Sequence, residues 1–295
     1  MIQCDVLVIG AGPAGLAAAI QLRRYGINPL VFEGAEAGGL LRNANWVENY
    51  PGFPRGISGP RLARLIAVQA MQAGVVIRNE QVLNLSWVDS SFQATTTQGQ
   101  YAARVAVVAS GTKPRRFQEP VIPDDVADRV FYEVYPLLDL EGEQVVIVGA
   151  GDAAFDYALN LSRKNCVIIL NRGEQVRCLP LLWERAKACP RIIYHPGTQI
   201  CRLASSAQGG ITVECSSPTG VLQFQAHALL GAIGRDPQED FLDSSLRDVR
   251  KTLETQGILH FIGDVKNGIC RQTAIAVGDG ILAAMRIYQL LLEEH

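Results

Sequence analysis

The sequence predicts an α/β fold, and three observations carry that expectation. Short β-branched runs alternate with helical patterns along the chain, which reads as strand-helix-strand units around parallel sheets. The stretch "VLVIGAGPAGLAAAIQL" reappears 139 residues later as "VVIVGAGDAAFDYALNL". Each copy places a glycine-rich turn between a strand and a helix, so the chain contains two Rossmann-like nucleotide-binding units.

Taken in order, the strands are "DVLVIG", "PLVFE", "RVAVVAS", "QVVIVGA" and "CVIILN". The helices are "GLAAAIQLRRYG", "GPRLARLIAVQAMQAG" and "DAAFDYALNLSRKN". No low-complexity tract or long linker separates them, so domain boundaries must come from the motifs. A chain of 295 residues with 48% hydrophobic and 19% charged residues suits two ordinary globular domains and excludes a disordered chain. The net charge of −2 and the lack of a basic run argue against nucleic acid as a partner. The start "MIQCDVLVIG" carries no basic or cleavable leader, which gives the expectation of a cytoplasmic protein. The apolar run from Val6 to Ile20 is short and broken by glycines and a proline, so no membrane span is expected there. Seven cysteines form no CxxC and no zinc spacing, so no metal is expected. His195, His227, His260 and His295 fall in strand-like or terminal positions, where core or surface roles are the expectation.

In the first turn, Gly10, Gly12 and Gly15, with Pro13 and Ala14 between them, form GxGxxG. This pattern lets the backbone approach a pyrophosphate at a helix N-terminus, where free N–H groups and the helix dipole favour negative charge. Glu33 ends the next strand, 18 residues beyond Gly15, where a carboxylate accepts hydrogen bonds from ribose hydroxyls.

Five stretches, "GAGPAGLAAAI" (10–20), "GGLLRNANWVENYPGFPRGISGPRL" (38–62), "SGTKPRR" (110–116), "AIGRDPQEDFL" (232–242) and "FIGDVKNGICRQTAIAVGDG" (261–280), resemble in order the low-molecular-weight thioredoxin reductases. The resemblance implies FAD along an N-terminal domain closed by the C-terminal segment. It puts Gly39, Leu40, Asn49, Gly111, Gly263, Asp264, Arg271, Gln272 and Thr273 beside the flavin cofactor. Leu40 departs from the family, which has glutamine after its glycine pair. The expected organisation is an FAD domain of 1–117 and 243–295, with an NAD(P)-type domain of 118–242 inserted into it. A homodimer is expected by resemblance alone.

The second turn, Gly149, Gly151 and Ala154, is GxGxxA, and the resemblance assigns it to NADPH. At the end of the next strand an acid favours NAD and arginines favour the 2′-phosphate of NADP. This chain has Asn171 followed by Arg172, then Arg177, a reduced form of the family's basic cluster. The weakened cluster leaves NADPH and a second flavin both open as occupants.

The resemblance also places the family's redox-active CxxC on Tyr132 and Tyr135, followed by Pro136 where the family has an acid. A phenol cannot exchange with a disulfide, which requires a thiolate. Two readings of the tyrosines stand: a ring stacked on the flavin, or aromatic filling of the vacated volume. Cys178 and Cys189 are the first candidates for a relocated dithiol. The helix expected over "LPLLWERAKA" would hold them about 16 Å apart, beyond bridging distance. The tyrosine stretch also resembles the thioredoxin-reductase-like ferredoxin–NADP reductases. The leading expectation is an FAD-dependent oxidoreductase serving an external redox partner protein or small acceptor such as a ferredoxin, flavodoxin or quinone. A flavin-linked disulfide oxidoreductase with a relocated cysteine pair and a non-catalytic flavin sensor are the alternatives.

Overall fold

Residues 2–207 and 209–293 are described by a computed structural model, in which the chain divides into two units. The first holds Met1–Arg42, Val47–Lys113 and Asp236–His295. It opens with β1 (Ile2–Ile9), whose inner half Val6–Ile9 is continuously buried, as a strand covered on both faces of a parallel sheet must be. The chain then forms α1 (Pro13–Arg24), β2 (Leu30–Phe32), α2 (Gly59–Gln72), β3 (Val76–Arg78), β4 (Val82–Val88), β5 (Ser91–Thr96), β6 (Gln100–Val108) and β7 (Thr112–Pro114). Pro13 starts α1 where its missing N–H costs nothing. The β4–β5 hairpin turns on Asp89 and Ser90, both at positive φ, the backbone of a tight primed turn. β5 alternates half-buried and buried residues, the signature of an antiparallel strand with one core face.

The second unit joins Asn43–Trp46 to Pro114–Arg235. Its elements are β8 (Val130–Phe131), β9 (Gln144–Val148), α3 (Asp152–Leu161), β10 (Cys166–Leu170), α4 (Pro180–Lys187), β11 (Ile192–His195), β12 (Gln199–Ser205), β13 (Ile211–Ser217), β14 (Gly220–Ala226) and β15 (Ala228–Gly231). The sheet order is β11-β10-β9-β15-β8, every pairing parallel. On one face Phe155 of α3, Trp183 of α4 and Tyr194 of β11 form an aromatic cluster. On the other, the antiparallel sheet β12-β13-β14 covers Val146, Ile168 and Leu229.

The chain returns to the first unit through β16 (Arg235–Pro237), which pairs with β7, and adds α5 (Ser244–Thr255), β17 (Leu259–Phe261) and α6 (Thr273–Glu293). β17 lies parallel to β6, completing a parallel order β3-β2-β1-β6-β17 with the antiparallel β4-β5 pair beside it. Both units therefore repeat one plan, a five-stranded parallel sheet with an antiparallel meander. The fifth strand comes last in the first unit and first in the second. Boundaries were expected at 117/118 and 242/243, whereas the units divide at 113/114 and 235/236. Residues 236–242 stay with the first unit because Leu85 donates its N–H to the Phe241 carbonyl at 2.8 Å and Phe241 and Leu242 join that core.

By length and composition α6 could cross a membrane, unlike the shorter apolar run Val6–Ile20. One face of α6, with Gly280, Ala283, Ala284 and Ile287, is buried. A Cβ on Gly280 would lie 2.3 Å from the Ala14 carbonyl oxygen and 2.9 Å from the Ala18 nitrogen. The absence of a side chain lets α6 press onto α1. Gly280→Val forces the helices apart, and overpacking of this kind costs ~2 kcal/mol or more; the melting temperature of the flavin-free protein is expected to fall accordingly.

Candidate dinucleotide sites

The glycines of the two turns serve two different purposes. Gly10 sits at φ +104°, and a Cβ there would lie 2.4 Å from the Ala109 carbonyl oxygen; a Cβ on Gly15 would lie 2.0 Å from the Gly10 oxygen. In the second unit Gly149, at φ +143°, would place a Cβ 2.3 Å from the Ala232 oxygen. The protein's own backbone requires these three glycines. Gly12 (φ −76°) and Gly151 (φ −95°) are extended residues that any amino acid could occupy, and a Cβ on either would meet nothing within 4 Å. No internal packing explains them. Each stands at the N-cap of its helix, α1 or α3, so the space it leaves is where a pyrophosphate approaches the backbone. Both turns thus fit a dinucleotide on structural grounds. The third position is glycine in the first turn by necessity, whereas Ala154 in the second is fully buried without obstruction.

Glu33, Gly39 and Gly263 pack against the first turn. Glu33 accepts hydrogen bonds from the backbone N–H groups of Ala11 (2.8 Å) and Ala35 (3.0 Å), which fastens its carboxylate at the turn. Gly39, at φ +55°, lies so close that a Cβ would sit 3.1 Å from the Gly12 Cα, and Leu40 follows it in a short 3₁₀ turn. Gly263, at φ +71°, faces Ala14, where a Cβ would meet the Ala14 methyl at 2.8 Å. Its N–H donates to Asp279 at 3.0 Å, and Asp279 also accepts from Asn267 at 2.7 Å, which fixes the loop carrying Asp264. Asn49 donates to the side-chain oxygen of Gln272 at 2.7 Å, just ahead of Thr273 at the start of α6. Gly111, at φ +66°, accepts from the Gln238 N–H at 3.0 Å. Arg271 is adjacent to Gln272 in the same segment.

The second turn is covered differently. Arg177 donates its backbone N–H to the Ala150 carbonyl at 2.8 Å, and Asp152 accepts from the Leu179 N–H at 2.7 Å, which draws the 171–179 loop over the turn. Asn171 is buried and wholly occupied: its amide nitrogen donates to the Gln175 carbonyl and the Tyr194 hydroxyl, and its oxygen accepts from the Gly173 N–H. It shapes the loop and has no donor left for a ribose. Arg172 and Arg177 are exposed, and among the described residues no ion pair engages either guanidinium. They remain available for a phosphate.

Tyr132 and Tyr135 have separate environments. The Tyr132 hydroxyl accepts the Phe117 N–H at 3.0 Å, its ring lies 5.5 Å from that of Phe117, and the Arg116 guanidinium stands 5.2 Å from its centroid. A Cβ on Gly231 would lie 2.9 Å from the Tyr132 ring, so this side chain fills volume inside its own unit. Tyr135 is 38% exposed and begins a 3₁₀ turn with Pro136, anchored by the buried Val134 and Leu137. Cys178 and Cys189 lie at opposite ends of α4, so bridging them would require that helix to unwind.

Sequence reasoning missed a polar cluster beside Tyr135. Asn43 accepts the Tyr135 N–H at 3.0 Å and donates to Glu133 at 3.4 Å, and Glu133 pairs with Arg235 at 3.2 Å. Asp156 accepts the Asn45 N–H at 2.8 Å, while Arg163 donates to the Asn45 side-chain oxygen at 2.6 Å. Burial raises the Asp156 carboxyl to about 6, against the lowering effects of the Asn45 bond and the Arg163 charge. The one hint in the sequence was an acid flanked by the apolar Phe155 and Tyr157 in the α3 pattern. Of the histidines, His195 and His260 are held below their ordinary range by burial, and His295 lies outside the described residues. Among the described residues no cluster of metal-binding side chains occurs.

A dinucleotide site at each of two parallel sheets defines a two-nucleotide flavoprotein architecture. Residues 4–280 match the pyridine nucleotide-disulphide oxidoreductase family model, and the chain belongs to that family. It is 30% identical to thioredoxin reductase from Treponema pallidum, over 95% of this chain and 94% of that one. It is also 30% identical to NADPH-dependent thioredoxin reductase 3 of Arabidopsis thaliana over 99% of its length, spanning 59% of that longer relative. The Lactococcus lactis thioredoxin reductase structure in its FR conformation superposes with a TM-score of 0.86 at 25% identity, covering 98% of this chain and 99% of that one. The chain is a thioredoxin-reductase-like, FAD-dependent oxidoreductase.

The two kinds of glycine separate cleanly by substitution. Gly12→Ala and Gly151→Ala are expected to leave the stability of the ligand-free protein within about 1 kcal/mol of wild type, while weakening FAD retention and pyridine-nucleotide binding respectively, each by tenfold or more. Gly10→Ala is expected to cost ~3 kcal/mol or more in the ligand-free protein. Thermal melts with and without added FAD distinguish the two classes.

Proposed function

We propose that this protein carries electrons between a pyridine nucleotide and an external acceptor by way of FAD, without an internal dithiol. The observation that supports this most strongly is the pairing of two ligand-facing glycines, Gly12 and Gly151, with tyrosines where the resemblance puts the redox cysteines. When bound, the flavin supplies hydride and electron chemistry of its own. The chain's residues bind and orient: Glu33 and the Gly12 turn hold the first nucleotide, and Gly151 with the free Arg172 and Arg177 receives the second. The arginines favour NADPH, since two guanidiniums hold a 2′-phosphate in the absence of an acid at Asn171.

Thioredoxin reduction by a dithiol relay is closed to this chain on the same reading. Tyr132 and Tyr135 cannot exchange with a disulfide, and α4 keeps Cys178 and Cys189 apart. The acceptor is therefore a one- or two-electron carrier, a ferredoxin, flavodoxin or quinone in chemical class.

Stopped-flow mixing with NADPH or NADH under argon tests the proposal. Bleaching of the flavin by NADPH, more tightly saturated than by NADH, is the expected result, and failure of both nucleotides to bleach it would sink the reading. Thiol titration of the oxidised and the dithionite-reduced protein is expected to give equal counts. Two more thiols after reduction would restore the disulfide alternative.

A further inference from the structure

Asn171 is the residue around which the loop over the second turn is folded. It follows β10 directly; its backbone N–H donates to the His195 carbonyl at 3.0 Å and its carbonyl accepts the Thr198 N–H at 2.8 Å. Its side chain, 7% exposed, makes three more bonds. Nδ2 donates to the Gln175 carbonyl at 3.1 Å and to the Tyr194 hydroxyl at 2.8 Å, while Oδ1 accepts the Gly173 N–H at 3.0 Å. Both amide protons and the amide oxygen are thus engaged. The Tyr194 hydroxyl is a fixed post for them, because its ring packs against Phe155 and Trp183.

These bonds hold the backbone on both sides of Arg172. Asn171 and Gly173 are tied to each other through the Asn171 side chain, and both are tied to the β11–β12 connection, where Gly197 donates its N–H to the Gly173 carbonyl at 3.1 Å. At the far end of the loop Arg177 is tied to the glycine turn itself, bridging to Gly151 and donating to the Ala150 carbonyl. Between the two arginines stands one acid, Glu174. One of its carboxylate oxygens lies 2.6 Å from where a Cβ on Gly197 would be, so the missing side chain of Gly197 gives that acid its place.

We propose that Asn171 is a positioning residue for a nucleotide 2′-phosphate: by locking the backbone of residues 171–175 it presets the segment that carries Arg172, and the preference for a 2′-phosphorylated pyridine nucleotide over its unphosphorylated counterpart depends on its amide. The inference rests on the reading of the Gly151 turn as the pyridine-nucleotide site.

The effect falls on selectivity and not on nucleotide binding in general. None of the five bonds made by Asn171 reaches residues 149–151, so its loss leaves the turn for the shared diphosphate unchanged. What is lost is pre-organisation. A guanidinium holds a phosphate through directed, charge-assisted bonds, and one carried on loose backbone must be ordered by the ligand at the moment of binding, which weakens affinity. A nucleotide without the 2′-phosphate makes no such bonds and bears no such cost.

Anaerobic bleaching of the flavin in the purified flavin-containing protein tests this, read as the half-saturating concentrations of NADPH and NADH. Asn171→Ala is expected to raise the value for NADPH about tenfold and to leave that for NADH within about twofold. Tyr194→Phe keeps the ring and removes one partner of the amide; a rise of about threefold for NADPH alone is expected. In an Arg172→Gln background there is no guanidinium left to place, and Asn171→Ala is expected to add less than about twofold. A wild type that saturates equally with both nucleotides, a rise of the same size for both in Asn171→Ala, no rise for NADPH, or full additivity with Arg172→Gln overturns the inference and leaves the electron-transfer reading standing. Should Asn171→Ala not fold, an unchanged ratio of NADPH to NADH in Tyr194→Phe overturns it. Failure of both nucleotides to bleach the wild type removes the electron-transfer reading, and the inference falls with it.

Discussion

Ala14 is the point on which the first unit depends. The backbone passes through the glycine turn so tightly that Gly10 has the Ala109 carbonyl where a side chain would be, and Gly15 has the carbonyl of Gly10. Gly263 and Gly280, from the far end of the chain, both close on Ala14 itself. Segments near residues 10 and 109 thus close on Gly15, and those near 263 and 280 close on Ala14 beside it. The first glycine turn, the loop after the last parallel strand and α6 are placed by these contacts, and packed interiors transmit small displacements between them.

The second unit repeats the turn without the same convergence. Gly149 is pressed by Ala232 as Gly10 is by Ala109, but the third position accepts alanine, which is fully buried there. Its cover is instead the 171–179 loop, shaped by Asn171 from inside. A site closed by a loop that its own asparagine organises suits a ligand that comes and goes, whereas one closed by a helix suits a cofactor that stays. The proposed reading of the first copy as the flavin site and the second as the nucleotide substrate site draws on this asymmetry.

What the sequence disclosed and what it hid divide along contact range. The glycine turns, Glu33 and the parallel strands were legible because strand, turn and helix are contiguous and their chemistry is local. The role of Gly12 is legible in the sequence only as part of a pattern; that it and Gly151, among the glycines of the two turns, are not required by the backbone around them shows only in the folded structure. Tyr132 was singled out for its position, yet its hydroxyl and ring are taken up by Phe117, Arg116 and the face of Gly231, partners whose distance in the chain hides them. Asn43 and Asn45 were read merely as letters of a resembling stretch, since their partners Tyr135 and Asp156 lie 92 and 111 residues away and no periodicity marks such a pairing. The apolar span of α6, Thr273–Leu292, is legible in the composition, whereas the face it buries against α1 depends on Gly280 meeting Ala14, a contact the sequence does not mark.

The proposed assignment of one glycine turn to FAD and the other to a pyridine nucleotide is the claim on which the rest turns. The cofactor content of the purified protein, extracted and counted against protein concentration, addresses it most directly. One FAD per chain is the expected result. Two flavins per chain would contradict the assignment of the Gly151 site to a pyridine nucleotide, and none would contradict the reading of the Gly12 cradle itself.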